Sequence, residues 1–133
     1  MSLAQQARSA YTNSSLRTAS PEQLLLQLWD RLVLDVERGL RAQMKAEWTE
    51  AGIQLVHAQA IITEFQATLE VDGWKGGREL MALYGYLQTR LIQANTRKDQ
   101  RATKEVLAHV RALRDTWQKA AVLAARERAT TSV

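Results

Sequence analysis

The 133-residue sequence carries 18 Lys and Arg against 14 Asp and Glu, a formal charge of +4, with 46% hydrophobic residues, one Pro and no Cys. That length suits a single domain. The lack of Cys excludes thiolate metal sites, disulfides and cysteine catalysis, and the scarcity of chain breakers argues against an all-β sandwich. No apolar run approaches the ~20 residues of a membrane span, and the start Met1-Ser2-Leu3-Ala4-Gln5-Gln6 lacks the basic and apolar regions of a secretory signal. The expectation is a soluble, helical, cytoplasmic protein with no membrane insertion.

In chain order, the first segment is weak. Leu3, Ala4, Ala7 and Ala10 are followed by the polar stretch Thr12-Asn13-Ser14-Ser15, which reads as a short helix and an extended link. Ser20-Pro21-Glu22-Gln23 then marks a helix start. Ser20 can accept from first-turn amides, Pro21 suits the first helical position, and Gln23 completes a capping box. Leu25, Trp29, Leu32, Val36 and Leu40 follow at helical spacing, and the helix fades around Arg41 to Lys45 without a Gly or Pro. A second stripe, Trp48, Ala51, Leu55, Ala58, Ile62, Phe65 and Leu69, stops at the reversal Asp72-Gly73-Trp74-Lys75-Gly76-Gly77. The third is Leu80, Tyr84, Leu87, Leu91 and Ala94, ending near Asn95 to Lys98, with Asp99 as the cap of the next helix. The fourth is Val106, Val110, Leu113, Trp117, Ala120 and Ala124. Trp117 closes this stripe and is expected to be largely buried. Short connections between four amphipathic helices predict an all-α, antiparallel up-down four-helix bundle over residues 20–125. Residues 1–19 form a short helical or extended cap segment, and residues 126–133, without periodicity, a flexible tail.

Catalytic patterns are missing. His57 and His109 fall on different helices, off the main stripes, and Gln54 and Val106 stand where a Glu-x-x-His pair would need Glu. No phosphate loop, nucleophile elbow or His-Glu-x-x-His is found, so neither an enzyme nor a cofactor is expected. Arg97, Lys98, Arg101 and Lys104, followed by Arg111 and Arg114, raise the alternative of a basic bundle that binds nucleic acid. Asp99, Glu105 and Asp115 interrupt that cluster and no aromatic residues interleave for base stacking, so nucleic acid is not the expected partner.

A surplus of apolar residues is more informative. The first helix carries Leu24, Leu25, Leu26, Leu28, Trp29, Leu32, Val33, Leu34 and Val36, wrapping most of its circumference, and the third adds Met81, Leu83, Tyr86 and Ile92. A bundle helix needs only about three apolar positions in seven. The cover for these second faces is the N-terminal segment, a second copy in a homodimer, or an amphipathic partner in a groove.

The order of motifs resembles the FliS family of flagellin export chaperones. The matching pieces are Tyr11, then Leu16-Arg17-Thr18-Ala19-Ser20-Pro21-Glu22-Gln23-Leu24-Leu25 and Leu28-Trp29-Asp30. Further on come Ala58-Gln59-Ala60-Ile61-Ile62-Thr63-Glu64, Leu83-Tyr84-Gly85-Tyr86-Leu87, Arg90-Leu91-Ile92-Gln93-Ala94-Asn95 and Leu113-Arg114-Asp115-Thr116-Trp117. Trp29 departs from the family's usual Tyr, and Arg31 and Gly85 from a common Gly and a frequent acidic residue. The resemblance implies a cytoplasmic helical bundle that binds the disordered C-terminal segment of flagellin. It also implies that the chaperone prevents premature polymerisation and delivers flagellin to the flagellar type III export gate. Carried over residue by residue, it implies partner contacts at Tyr11, Leu16, Leu25, Leu28, Trp29, Tyr84, Leu87, Leu91 and Asn95. Within that set the core is the stronger reading for Leu25, Leu87 and Leu91. The stretch through Leu16 is expected to act as a displaceable lid anchored by Tyr11.

Overall fold

The structure is a computed structural model of the chain, and it describes residues 21–73 and 75–131, the side chain of Glu22 excepted. The expected cap segment and lid, with Tyr11, Leu16 and the Ser20 cap, lie outside the described residues. Four helices follow one another: α1 (Pro21–Met44), α2 (Trp48–Thr68), α3 (Gly77–Thr96) and α4 (Gln100–Thr131), with a 3-10 turn at Val71–Gly73. Each helix packs against its neighbours in chain order, and α4 closes the ring against α1, which makes an antiparallel up-down four-helix bundle. There is no strand among the described residues.

The predicted stripes meet along the bundle axis. Trp29, Leu32 and Val36 from α1, Leu55, Ala58, Ile62 and Phe65 from α2, the entire third stripe, and Val106 and Val110 from α4 form one buried cluster, which Val33 from outside the first stripe joins. Trp29 stacks on Phe65 at 4.5 Å between ring centroids, and Tyr84 completes the aromatic layer at 5.7 Å from Phe65. Farther along the bundle Gly39 lets α2 come close, since a Cβ there would stand 2.8 Å from Leu55 Cδ2.

At the end of the bundle that holds the 45–47 and 97–99 connections, the interior is polar. Buried Gln43 donates to the Ala94 carbonyl at 3.1 Å and accepts from Thr103 Oγ1 at 2.7 Å, tying α1 to both α3 and α4. Every bond in this network is satisfied within the fold, as burial of an amide requires. Both connections close the preceding helix with a left-handed residue that is not Gly, Ala46 at φ 56° and Lys98 at φ 51°. The six-to-one bonds from Glu47 N–H to the Ala42 carbonyl (2.8 Å) and from Asp99 N–H to the Ala94 carbonyl (3.0 Å) identify Schellman ends. Asp99 then caps α4 as expected, accepting from the Arg101 and Ala102 amides at 2.9 and 3.3 Å.

Two expectations for α4 need correction. The helix does not give way to a tail at residue 126 but continues through Thr131. Trp117 is not largely buried; like Leu113 it is half-buried against the edge of the core. With 32 residues α4 spans about 48 Å, against about 30 Å for the 20-residue α3, so its turns beyond about residue 120 have no α3 beside them. Beyond Val110 no residue of α4 is fully buried.

Candidate protein-binding surface

The surplus apolar side chains divide into two sets. Val33 and the half-buried Leu25, Leu26, Leu34, Met81 and Leu83 are taken up wholly or partly by the bundle. Leu24, Leu28, Tyr86 and Ile92 stay exposed. The second helix adds two that are more exposed than any of these, Ile53 at 58% and Val56 at 54%.

Ile53 and Val56 lie with Thr49, Gly52, His57 and Ala60 along a shallow depression on the outer face of α2. Its surface is almost wholly apolar. Gly52 makes the notch: a Cβ there would be 3.3 Å from Asn95 Oδ1, so α3 comes close at this point. On the same flank of α3, Gln88 donates to the Gln59 carbonyl at 3.1 Å and to Thr63 Oγ1 at 2.8 Å. Ile92, one turn beyond Gln88 and one before Asn95, is therefore carried on the side of α3 that adjoins α2. The depression is thus lined by α2 alone, with the exposed Ile92 carried on the adjoining flank of α3 and the Asn95 amide beside Gly52.

A buried carboxylate supports the other edge. Asp35 of α1 is fully buried, accepts from Arg31 Nε at 3.0 Å and pairs with His57 Nδ1. A carboxylate out of water needs such partners, and here they hold His57 at the margin of the depression while half its side chain remains in solvent. Leu24, Leu28, Arg31 and Asp35 follow at helical spacing, so the exposed leucines of α1 lie on the flank that faces α2.

The implied partner contacts are thus distributed unevenly. Trp29, Tyr84, Leu87 and Leu91 are core residues with no more than 3% exposure. Leu25 is half-buried against the core, Leu28 is 37% exposed, and Asn95 is half-buried at the rim of the α2–α3 depression. The two tyrosines of Leu83-Tyr84-Gly85-Tyr86-Leu87 have separate tasks. Tyr84 belongs to the aromatic layer, whereas Tyr86 donates to Glu105 on α4, with the Arg90 guanidinium 3.2 Å from the same carboxylate and His109 edge-on to the ring. The Tyr86 hydrogen bond and Arg90 hold the Glu105 carboxyl below its ordinary range. Sequence reading passed over Ile53 and Val56. Their own series, Ile53, Val56 and Ala60, was in plain view but ran beside the stronger stripe on the same helix.

Burial pushes the Tyr84 hydroxyl up from 10.0 to about 12. The neutral phenol is thus favoured in the fold, and its contribution is present below pH 10 and lost as pH rises through about 12. Tyr84→Phe is expected to remove this decline, so that the stability advantage of the wild type over the variant shrinks by about 1–2 kcal/mol across that window. Urea melts of both proteins at a series of alkaline pH values measure it.

A bundle with spare apolar helix surface is common to many proteins, and comparison with known families decides among them. Residues 3–124 match the family model described as Flagellar protein FliS. The chain belongs to the FliS family. It is 31% identical over 111 residues to the flagellar secretion chaperone FliS of Bacillus subtilis (strain 168), covering 84% of this chain and 83% of that protein. It is also 31% identical over 108 residues to the flagellar secretion chaperone FliS of Escherichia coli (strain K12), covering 80% and 79%. No described helix of this FliS-family chain is long and apolar enough to cross a membrane.

Proposed function

We propose that this FliS-family protein is a cytoplasmic export chaperone that binds the disordered C-terminal segment of flagellin. It holds that segment on the α2–α3 face, prevents premature polymerisation and hands the subunit to the flagellar export gate. Family membership supports the role. The observation that supports the surface is the exposure of Ile53 and Val56 in a depression that offers a partner little but apolar contact, with the exposed Ile92 on the adjoining helix. An amphipathic segment can fold into such a groove with its apolar side down. Ordering a disordered segment costs part of the binding energy, which leaves the modest affinity that a cargo destined for release requires. Leu28 and Leu24 on the adjoining flank of α1 extend the apolar surface for a segment that wraps, and Asn95 offers an amide at the rim.

Calorimetric titration with a synthetic flagellin C-terminal peptide tests this reading. The wild type is expected to bind, and the double variant Ile53→Asp/Val56→Asp to bind at least about tenfold more weakly, since each substitution removes aliphatic contact and forces desolvation of a charge. Thermal melts of the variant should match the wild type because both side chains are exposed. A wild type that ignores the peptide would end the chaperone reading, and unchanged binding by the variant would move the contact to another face.

A further inference from the structure

We infer that the groove between α1 and α4, next to the 45–47 and 97–99 connections, is a second docking site that takes an acidic amphipathic segment of another protein. Its floor is aliphatic: Leu40, Met44 and Leu107 line a hollow of about 250 Å³, and Met44 is 64% exposed. Its rim is cationic. Arg41, Arg111 and Glu37, which Arg111 engages, line the groove, and Lys104 falls on the same flank of α4, because it sits at helical spacing between Gln100, which donates to the Gln43 carbonyl of α1, and Arg111.

Charge decides the occupant. Arg41 and Lys104 form no ion pair with any described residue, and the nearby Lys45 and Arg101 are likewise exposed and unpaired. The carboxylates at this end are Glu37, engaged by Arg111 at 2.8 Å, Glu105, engaged by Arg90 and Tyr86, Asp99, used as the α4 cap, and Glu47 and Glu50, which line the neighbouring hollow on the far side of Arg41. Unpaired cations around an aliphatic floor fit a helix that presents leucines flanked by Asp or Glu. Nucleic acid would satisfy the rim, but no aromatic ring lines this groove to stack a base, and the exposed thioether would go unused. A second copy placed by a two-fold axis would set the same cations against each other. The α1–α4 groove and the α2–α3 face lie on opposite sides of the bundle, so both sites can be filled at once. The protein can then join a cargo on one side to an acidic partner on the other.

A fluorescent synthetic helix with leucines at i, i+3, i+4 and i+7 and glutamates elsewhere serves as the probe, read by anisotropy. The wild type is expected to bind it. Arg41→Glu/Lys104→Glu should weaken binding at least about tenfold and Met44→Ser roughly fivefold, with binding of the flagellin peptide unchanged in both. Equal binding of the probe by wild type and variants overturns the proposal. A DNA duplex that competes for the groove and is indifferent to Met44→Ser makes it a polyanion surface instead. Loss of flagellin-peptide binding in the same variants assigns the groove to the cargo, and self-association that these variants abolish assigns it to a second copy. Absence of flagellin binding by the wild type, with the probe results as expected, removes the cargo reading and leaves this site standing.

Discussion

Trp29→Ala is expected to cost about 3–5 kcal/mol in urea denaturation, one of the largest effects of any single truncation in the chain. Trp29 is fully buried and lies 4.5 Å from the Phe65 ring and 6.2 Å from the Tyr84 ring, so its removal empties the centre of this aromatic layer. Neighbouring rings are stiff and will not collapse into the space, which places the cost at the upper end for a cavity. Trp29→Phe should be much milder, within about 1.5 kcal/mol. It keeps a ring against Phe65 and deletes an indole N–H that has no hydrogen-bond partner among the described residues, and removing an unsatisfied buried donor returns part of the lost packing energy. If the Phe variant is as damaged as the Ala variant, the stacking assigned to this layer is wrong.

Gly77→Ala should destabilise the protein by about 2–3 kcal/mol, although it adds a single methyl at the first residue of a helix where Ala is ordinarily favourable. A Cβ at this position would stand 2.2 Å from the Val71 carbonyl oxygen and 2.9 Å from its carbon. Backbone cannot turn aside as a side chain can, so the 3-10 turn at Val71–Gly73 would have to move away from the start of α3. The preceding Gly76, at φ 99°, sets the reversal that brings these segments together. Thermal melts compare the variant with Gly85→Ala, an internal check: Gly85 is also in α3 but has open space where its Cβ would go, and that substitution should be neutral or stabilising. Equal behaviour of the two alanines would show that the turn does not press on Gly77.

The polar features divide by their reach along the chain. Asp99 was legible as a cap because its acceptor serves amides two and three residues away. Gln43 was not. Its partners are 51 and 60 residues distant, and nothing local distinguishes it from a solvated glutamine on a polar helix face. Asp35 likewise sits at i+4 from Arg31, a spacing that on the surface would be an ordinary ion pair, yet here the carboxylate is fully buried beneath His57. The absence of Gly at the ends of α1 and α3 hid two Schellman turns, because Ala46 and Lys98 take up the left-handed conformation that the sequence normally advertises with Gly.

Local periodicity was enough to establish the class, the number and order of the helices and nearly the whole core, because burial on a helix repeats every three to four residues and leaves its pattern in the chain itself. The Leu80, Tyr84, Leu87, Leu91 and Ala94 stripe is buried throughout. Which surplus leucine is core and which is surface is a different kind of question. Val33 and Leu28 have the same apolar character on the same helix, and only the position of α2 and α4 around α1 buries one to 2% and leaves the other 37% exposed. The same holds for Trp117, which ends up half-buried at the edge of the core, and for the face where Ile53 and Val56 of α2 adjoin Ile92 of α3, helices that have no sequence relation. Burial depends on what stands opposite, and helices of unequal length and ring order settle that only once they have packed.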